Sequence, residues 1–227
     1  MGKKLTLIGT SHISDVKDRV KEEIIKIKPQ VVAIELDQER YEEIISNKQP
    51  SQLPGEINEI LAGLFGRSSR DDFRGAIEGA KEVGAKIELI DKNMRAIINK
   101  ILGIFQEFNP DIKEEEAVKT FQDRIKADSN RYRKIIPIAS SCSVGDLSKI
   151  REKSGVDSER WNRYEESLGP YMQKIKEVWE GREEYMAQKI RELAEEYDNI
   201  VVITGAAHVS NLENKLEGLS IACVFIT

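Results

Sequence analysis

Residues 5–36 read LTLIGTSHISDVKDRVKEEIIKIKPQVVAIEL, and this stretch decides the fold class. Two short apolar runs, Leu5 to Gly9 and Val31 to Leu36, have the composition of strands that are buried on both faces of a parallel sheet. The segment between them has apolar residues at helical spacing: Val16, Val20, Ile24 and Ile27. A strand, a helix and a second strand within about thirty residues form a βαβ unit. The sequence therefore predicts an α/β fold.

Three further apolar runs resemble strands: 87–90, 200–204 and 220–226. We predict a central parallel or mixed β-sheet flanked by helices, forming a single domain over residues 1–227. Residues 92–199 contain charged helical segments and no convincing strand. The sequence therefore predicts a long all-helical insertion between the third and fourth strands.

Apolar residues of this insertion repeat at coiled-coil spacing, although Gly169-Pro170 predicts a break in the helix. The stripe consists of Trp161, Tyr164, Leu168, Tyr171, Ile175 and Val178. Packing against the core or a neighbouring helix would explain most of this apolar stripe. The functional alternative is an arm or lid that covers the site, or a homodimer contact.

Composition excludes several classes of protein. Lys+Arg 35 against Asp+Glu 40 gives a net charge of -5, which argues against a basic surface for nucleic acid. No apolar run reaches the ~18 to 20 residues of a transmembrane helix. Two cysteines, Cys142 and Cys223, match no disulfide scaffold and no metal-ligand spacing. We expect a cytoplasmic protein, attached to a membrane only through a C-terminal extension that is absent here.

The two ends of the chain resemble each other. Residues 7–16 (LIGTSHISDV) align without gaps on residues 203–212 (ITGAAHVSNL). Both copies follow an apolar strand and precede a helical pattern. Each contains a G-x-x-H motif, and the two motifs hold every histidine of the chain: Gly9 with His12 and Gly205 with His208.

The glycine of each motif permits a sharp exit from the strand, where a side chain would clash or φ could be positive. Each histidine is then expected in the loop above the carboxyl edge of the sheet. Ser210 with Glu213 fits a capping box for the helix that follows. Because ligands of open α/β sheets bind at the carboxyl edge, both imidazoles are predicted to lie on the functional rim.

Acidic residues fall at equivalent positions of two other strands. Glu35 ends the second strand and Asp91 follows the third. A carboxylate buried in an apolar strand is costly unless it is paired or binds a metal. Two imidazoles and one carboxylate form an open ligand set for zinc, iron, manganese or cobalt, and such a metal would activate water.

Arg182 falls on the apolar seam of the last long helix, one turn from both Val178 and Met186. A guanidinium on a buried face requires a carboxylate or an anionic ligand, and Glu35 is one candidate partner. The two imidazoles and Arg182 could equally bind a carboxylate or a phosphate without metal.

These motifs resemble the TraB family, which includes the PrgY pheromone-shutdown proteins and is related to the Tiki, GumN and ChaN proteins. The matching segments follow the expected order over nearly the whole chain: GTSH at 9–12, PQVVAIELD at 29–37 with Arg40, LID at 89–91, REEYMA at 182–187 and GAAH at 205–208. Two G-x-x-H motifs with the intervening elements are a fairly specific pattern.

The resemblance implies an α/β core that holds the paired G-x-x-H loops and Glu35 in one site. In Tiki relatives these motifs belong to a metal-dependent peptidase, ChaN relatives bind haem, and PrgY relatives suppress a peptide signal by binding or cleavage. Two features depart from the family. Asp91-Lys92 stands where Asp-Arg is frequent, and the C-terminal membrane helices of many members are absent.

The leading hypothesis is a metal-dependent hydrolase of peptide or related amide bonds. His12 and His208 would hold a divalent metal or polarise water, Glu35 would be a ligand or the general base, and Arg182 would stabilise the oxyanion or a substrate carboxylate. Three further residues are candidates for substrate binding: Ser11, Arg40 and Asp91. The rival hypothesis is a protein that sequesters a signalling peptide or haem in the same pocket.

Overall fold

The computed structural model describes residues 3–10, 16–46, 70–108 and 158–226. Its centre is a five-stranded sheet in the order β3-β2-β4-β1-β5, and every pair of neighbouring strands is parallel. The predicted α/β fold is confirmed, with a parallel rather than a mixed sheet. The strands are β1 (Lys4–Thr10), β2 (Val31–Ile34), β3 (Lys86–Leu89), β4 (Asn199–Gly205) and β5 (Ile221–Ile226).

Helices connect the strands and cover the sheet. They are α1 (Lys17–Ile27), α2 (Gln38–Ile45), α3 (Asp71–Val83), α4 (Met94–Phe108), α5 (Ser158–Glu196) and α6 (Ala206–Lys215). No helix within the described ranges is long and apolar enough to cross a membrane.

The described parts of the segment between β3 and β4 are the helices α4 and α5. The predicted break at Gly169-Pro170 is wrong, because α5 continues through it as one helix of 39 residues. A proline in a helix loses one backbone hydrogen bond, and the many remaining bonds of a long helix can outweigh that loss. Near its middle, α5 packs Val178 against Ile97 and Ile104 of α4.

The two faces of the sheet bury different helices. Alternate residues of a strand point to opposite faces, so Ile200 and Val202 join the core under α5 and α6 while Val201 and Ile203 join the core under α1 and α3. All four side chains are almost fully inaccessible to solvent. Burial of each contributes roughly 1.5 to 3 kcal/mol of hydrophobic stabilisation.

The strand order makes the carboxyl ends of β1 and β4 a topological switch point. These strands are neighbours, yet the chain after β1 continues into α1 on one face of the sheet and the chain after β4 continues into α6 on the other. Helices that diverge in this way leave an opening at the carboxyl ends of the two strands, where α/β proteins bind ligands. Both G-x-x-H motifs begin at this opening, where Thr10 lies opposite Gly205.

Helices α1 and α3 approach most closely at Gly75. A Cβ atom on this residue would lie 2.2 Å from the carbonyl oxygen of Lys17, and backbone cannot yield as a flexible side chain can. We expect Gly75→Ala to lower the free energy of unfolding by about 1 to 3 kcal/mol in urea denaturation. The matched control is Gly103→Ala in α4, where a Cβ meets no atom of the described residues within 4 Å and alanine should be neutral or stabilising. Equal unfolding midpoints for the two variants would refute this packing.

Candidate active site

Arg182 is the centre of a buried polar cluster at the carboxyl edge of the sheet. It lies on α5 between the buried side chains of Val178 and Met186 and is itself only 3% exposed. Its Nε donates to Asp91 Oδ1 at 2.8 Å, and its Nη2 donates to Asp91 Oδ2 at 2.7 Å and to Glu35 Oε1. The sequence offered a carboxylate or an anionic ligand as the partner of this guanidinium, with Glu35 as one candidate, and the structure pairs it with the carboxylates of Glu35 and Asp91.

Glu35 follows β2 and is tied to β4 by both its backbone and its side chain. Its backbone N–H donates to the carbonyl of Ile203. Its Oε2 accepts hydrogen bonds from the Thr204 hydroxyl and, at 2.8 Å, from the backbone N–H of Gly205. Since Oε1 accepts from Arg182, both carboxylate oxygens have partners, which offsets the cost of burying this charge.

The second G-x-x-H motif folds differently from the expectation. Gly205 is the N-cap of α6, with an ordinary extended backbone at φ -60 and ψ 138, so no left-handed conformation requires glycine here. His208 therefore lies in the first turn of α6 rather than in a loop before the helix. The predicted capping role of Ser210 is wrong because Ser210 is inside α6. The Glu35 carboxylate accepts from the backbone N–H of the N-cap Gly205, and a negative charge at a helix N-terminus favours this early start.

Gly9 of the first motif is required by a close approach. A Cβ on this residue would lie 2.7 Å from Val209 Cγ2 and 2.8 Å from Phe225 Cδ1. The sequence offered two reasons for a glycine here, a side-chain clash or a positive φ. The clash is the reason that applies at Gly9. The missing side chain lets α6 and β5 approach the end of β1.

Asp91 lies between two guanidinium groups. Besides Arg182, its Oδ2 accepts from Arg40 Nη2 at 2.5 Å, and the same Nη2 donates to the Glu35 carbonyl at 3.0 Å. Asp37 orients Arg40, because its carboxylate caps α2 through the Arg40 N–H at 2.9 Å and accepts from Arg40 Nε at 3.2 Å. Substrate-binding roles for Arg40 and Asp91 stay predictions, but the two residues belong to the cluster around Arg182.

His208 completes the cluster from α6. Its Nε2 lies 3.2 Å from Arg182 Nη1, and its Nδ1 lies 2.9 Å from Glu183 Oε1. Arginine can only donate a hydrogen bond, so Nε2 is the acceptor and the proton of a neutral imidazole must be on Nδ1, facing the carboxylate. This tautomer follows from the neighbouring groups and leaves the Nε2 lone pair facing the interior of the cluster.

The positive charge of Arg182 is secure. Burial by itself lowers the pKa of the guanidinium, but the adjacent Glu35 and Asp91 carboxylates outweigh it and raise the pKa above its ordinary value. The Trp179 ring lies with its centroid 5.3 Å from Cζ, within range of a cation–π interaction. Four of the five N–H donors have partners among the described residues, and the fifth is on Nη1, beside His208 Nε2.

The expected metal can be compared with this geometry. His208 Nε2 and Glu35 Oε1 lie 3.6 Å apart, close to the roughly 3.3 Å that bond lengths of about 2.0 to 2.1 Å give two ligands of tetrahedral zinc. Arg182, however, hydrogen-bonds both of these atoms and holds them around a guanidinium. Among the described residues no three His, Cys, Asp or Glu side chains form a metal-ligand group, and the third predicted ligand, His12, lies outside those residues. The metal stays a prediction.

The structure thus brings together five of the predicted site residues: Glu35, Arg40, Asp91, Arg182 and His208. Ser11, His12 and Cys142 lie outside the described residues. Sequence reasoning assigned no role to Glu183, Thr204 or Trp179. The burial of Glu183 could have been predicted from the sequence. It shares a helical spacing with Ala187, Ile190 and Ala194, which lie on a buried face of α5.

The fold and the site define an α/β protein with a buried charged cluster at the carboxyl ends of β2, β3 and β4. No family model matches the chain, and no solved structure matches it. It is similar to an uncharacterized protein of Methanocaldococcus jannaschii, with 24% identity over an alignment covering 94% of this chain and 53% of that protein. The chain therefore spans about half the length of this relative. The resemblance to the TraB family stays a prediction.

Proposed function

We propose that this chain is a hydrolase of peptide or related amide bonds, with its active site at the cluster of Arg182, His208 and Glu35. The observation that carries the proposal is the 3.2 Å contact between the buried Arg182 guanidinium and His208 Nε2. Because arginine can only donate, this contact favours an unprotonated Nε2. An acceptor for a proton and a donor for an oxyanion thus lie side by side at an edge of the sheet suited to ligands. The substrate class comes from the resemblance to Tiki and PrgY relatives.

His208 is the proposed general base. A water oxygen forms a bond to the carbonyl carbon of the substrate while its proton passes to Nε2, and the carbonyl π electrons move onto the carbonyl oxygen. When the C–N bond then breaks, Nε2 returns the proton to the leaving amine, so one water is consumed and an acid and an amine are formed. The contact of Nε2 with Arg182 is long for a hydrogen bond at 3.2 Å and should open at little cost.

Arg182 is the proposed stabiliser of the negative oxygen. Its remaining Nη1 N–H is beside the base, and the buried surroundings strengthen its interaction with an anion. Glu35 and Asp91 hold the guanidinium through three hydrogen bonds, so its position is fixed before a substrate arrives. In this arrangement Glu35 orients Arg182, because both of its oxygens already accept hydrogen bonds.

The divalent metal implied by the resemblance remains a separate part of the proposal. A metal ion held by Glu35, His208 and His12 would supply an activated water, and it would have to replace the Arg182 guanidinium between the first two residues. The steps above use only side chains of the chain itself. Chelation followed by re-addition of single metals separates the two cases.

The test is incubation of the purified chain with a broad peptide library, followed by mass spectrometry. One arm contains a chelator, and the others contain zinc, manganese, cobalt or iron(II) after removal of the chelator. We expect new peptide termini in at least one arm. Stoichiometric retention of intact peptide, or of haem in a parallel absorbance titration, would support the sequestering alternative. Neither cleavage nor capture in any arm would overturn the proposal.

A further inference from the structure

We infer that Glu183 is a positioning residue that fixes the tautomer of His208. This inference rests on the proposed function, since it explains how Nε2 is kept unprotonated and directed into the site. Glu183 is 6% exposed, and its Oε1 lies 2.9 Å from His208 Nδ1. A carboxylate can only accept this hydrogen bond, so the proton of the neutral ring is held on Nδ1.

The carboxylate of Glu183 is itself anchored by the helix that carries His208. Asn211 lies one turn after His208 on α6, and its Nδ2 donates to Oε1 and Oε2 of Glu183, both at 3.0 Å. The acceptor therefore has a fixed direction relative to the ring. Because Arg182 and Glu183 are adjacent on α5, one turn of this helix contacts both nitrogens of the imidazole.

This arrangement serves the proposed chemistry in a specific way. When Nε2 accepts a proton from water, the ring becomes an imidazolium with a positive charge, and the buried Glu183 carboxylate stabilises that charge at Nδ1. The same hydrogen bond would orient the ring if Nε2 were a metal ligand. The role of Glu183 thus holds for either form of the site.

The neighbouring residue is a matched control. Glu184 has the same charge but is exposed on α5, where it pairs with Lys215 at 2.9 Å. That hydrogen bond lowers the pKa of the Glu184 carboxyl, so its charge is secure. The two glutamates are neighbours in the chain, and replacing either one removes one negative charge. Of the two, only Glu183 contacts His208.

The test is nitrogen NMR of protein labelled with 15N-histidine. The chain has two histidines, so the spectrum contains two rings, which a His12→Gln variant assigns. In the unmodified protein at neutral pH we expect His208 to be in the Nδ1–H tautomer. In Glu183→Leu the Nδ1 proton loses its acceptor, so we expect part of the His208 population to shift to the Nε2–H form that a free imidazole prefers, against the opposing contact with Arg182. Glu184→Leu should leave the spectrum unchanged.

Turnover is the second readout. We expect kcat to fall by about 10- to 100-fold in Glu183→Leu with little change in KM, because substrate contacts are retained. If the leucine variant does not fold, Glu183→Gln replaces it and should shift the tautomer partly. If His208 remains fully in the Nδ1–H form after loss of the carboxylate, Arg182 alone sets the tautomer and the inference is overturned. A protein that shows the expected tautomers but no turnover would instead contradict the proposed hydrolase.

Discussion

Arg182→Met lowers the free energy of unfolding by about 3 to 5 kcal/mol, the cost of breaking a buried ion pair from one side. Methionine fills most of the volume but leaves the Glu35 and Asp91 carboxylates buried without their shared cation. Urea denaturation followed by circular dichroism measures this loss. Arg182→Lys should recover only part of it, because a single ammonium cannot reproduce the fork that contacts two carboxylates.

Two comparisons make this prediction specific. Arg95→Met removes a solvent-exposed arginine that pairs with Glu39, and it should cost less than about 1 kcal/mol. Adding Glu35→Gln to Arg182→Met should restore part of the lost stability, because it neutralises the buried carboxylate that Arg182 paired, whereas Asp91 keeps its ion pair with Arg40. If Arg182→Met and Arg95→Met unfold at the same urea concentration, the guanidinium does not support the cluster.

His208→Gln decreases the rate of peptide cleavage by about 100- to 10,000-fold, the usual contribution of a general base. Glutamine keeps a polar side chain in the first turn of α6 but has no nitrogen that can accept a proton at neutral pH. The rate is measured on the peptide that the library identifies as the best substrate. Because the side chain of His208 is partly exposed, at 18%, we expect the variant to fold.

The control for this loss is Gln188→Ala, which changes an exposed residue of α5 away from the cluster. It should cleave at the rate of the unmodified chain. Retention of the full rate in His208→Gln, with its fold verified by circular dichroism, would remove His208 from the mechanism. If both variants lost the same fraction of the cleavage rate, the loss could not be assigned to His208.

The periodicity of apolar residues predicted the strands and the buried position of Arg182, because buried positions are occupied mainly by apolar side chains. Leu5 to Gly9 and Val31 to Leu36 are strands because both faces of the sheet are covered, although β2 ends at Ile34, two residues before the apolar run does. Arg182 could be assigned a buried partner because it interrupts an otherwise apolar seam. The placement of Asp91 beside it requires β3 to lie next to β2, which the sequence does not specify.

Other features depend on contacts between distant residues. The start of α6 depends on Glu35, which is 170 residues from Gly205 and caps its N–H in place of the expected Ser210. The strand order puts β4 between β1 and β2, and local pattern carries no information on it. Glu183 is recognisable as a partner of His208 only once α5 and α6 are packed side by side.

The most direct test of hydrolysis is cleavage of the best library peptide in water enriched in oxygen-18, analysed by mass spectrometry. The proposed chemistry predicts one labelled oxygen in the newly formed carboxylate when the unmodified chain is used. With His208→Gln, the same incubation should yield little labelled product. Cleavage products without a labelled oxygen, or recovery of the whole library intact after incubation with the unmodified chain with and without each divalent metal, would contradict the account.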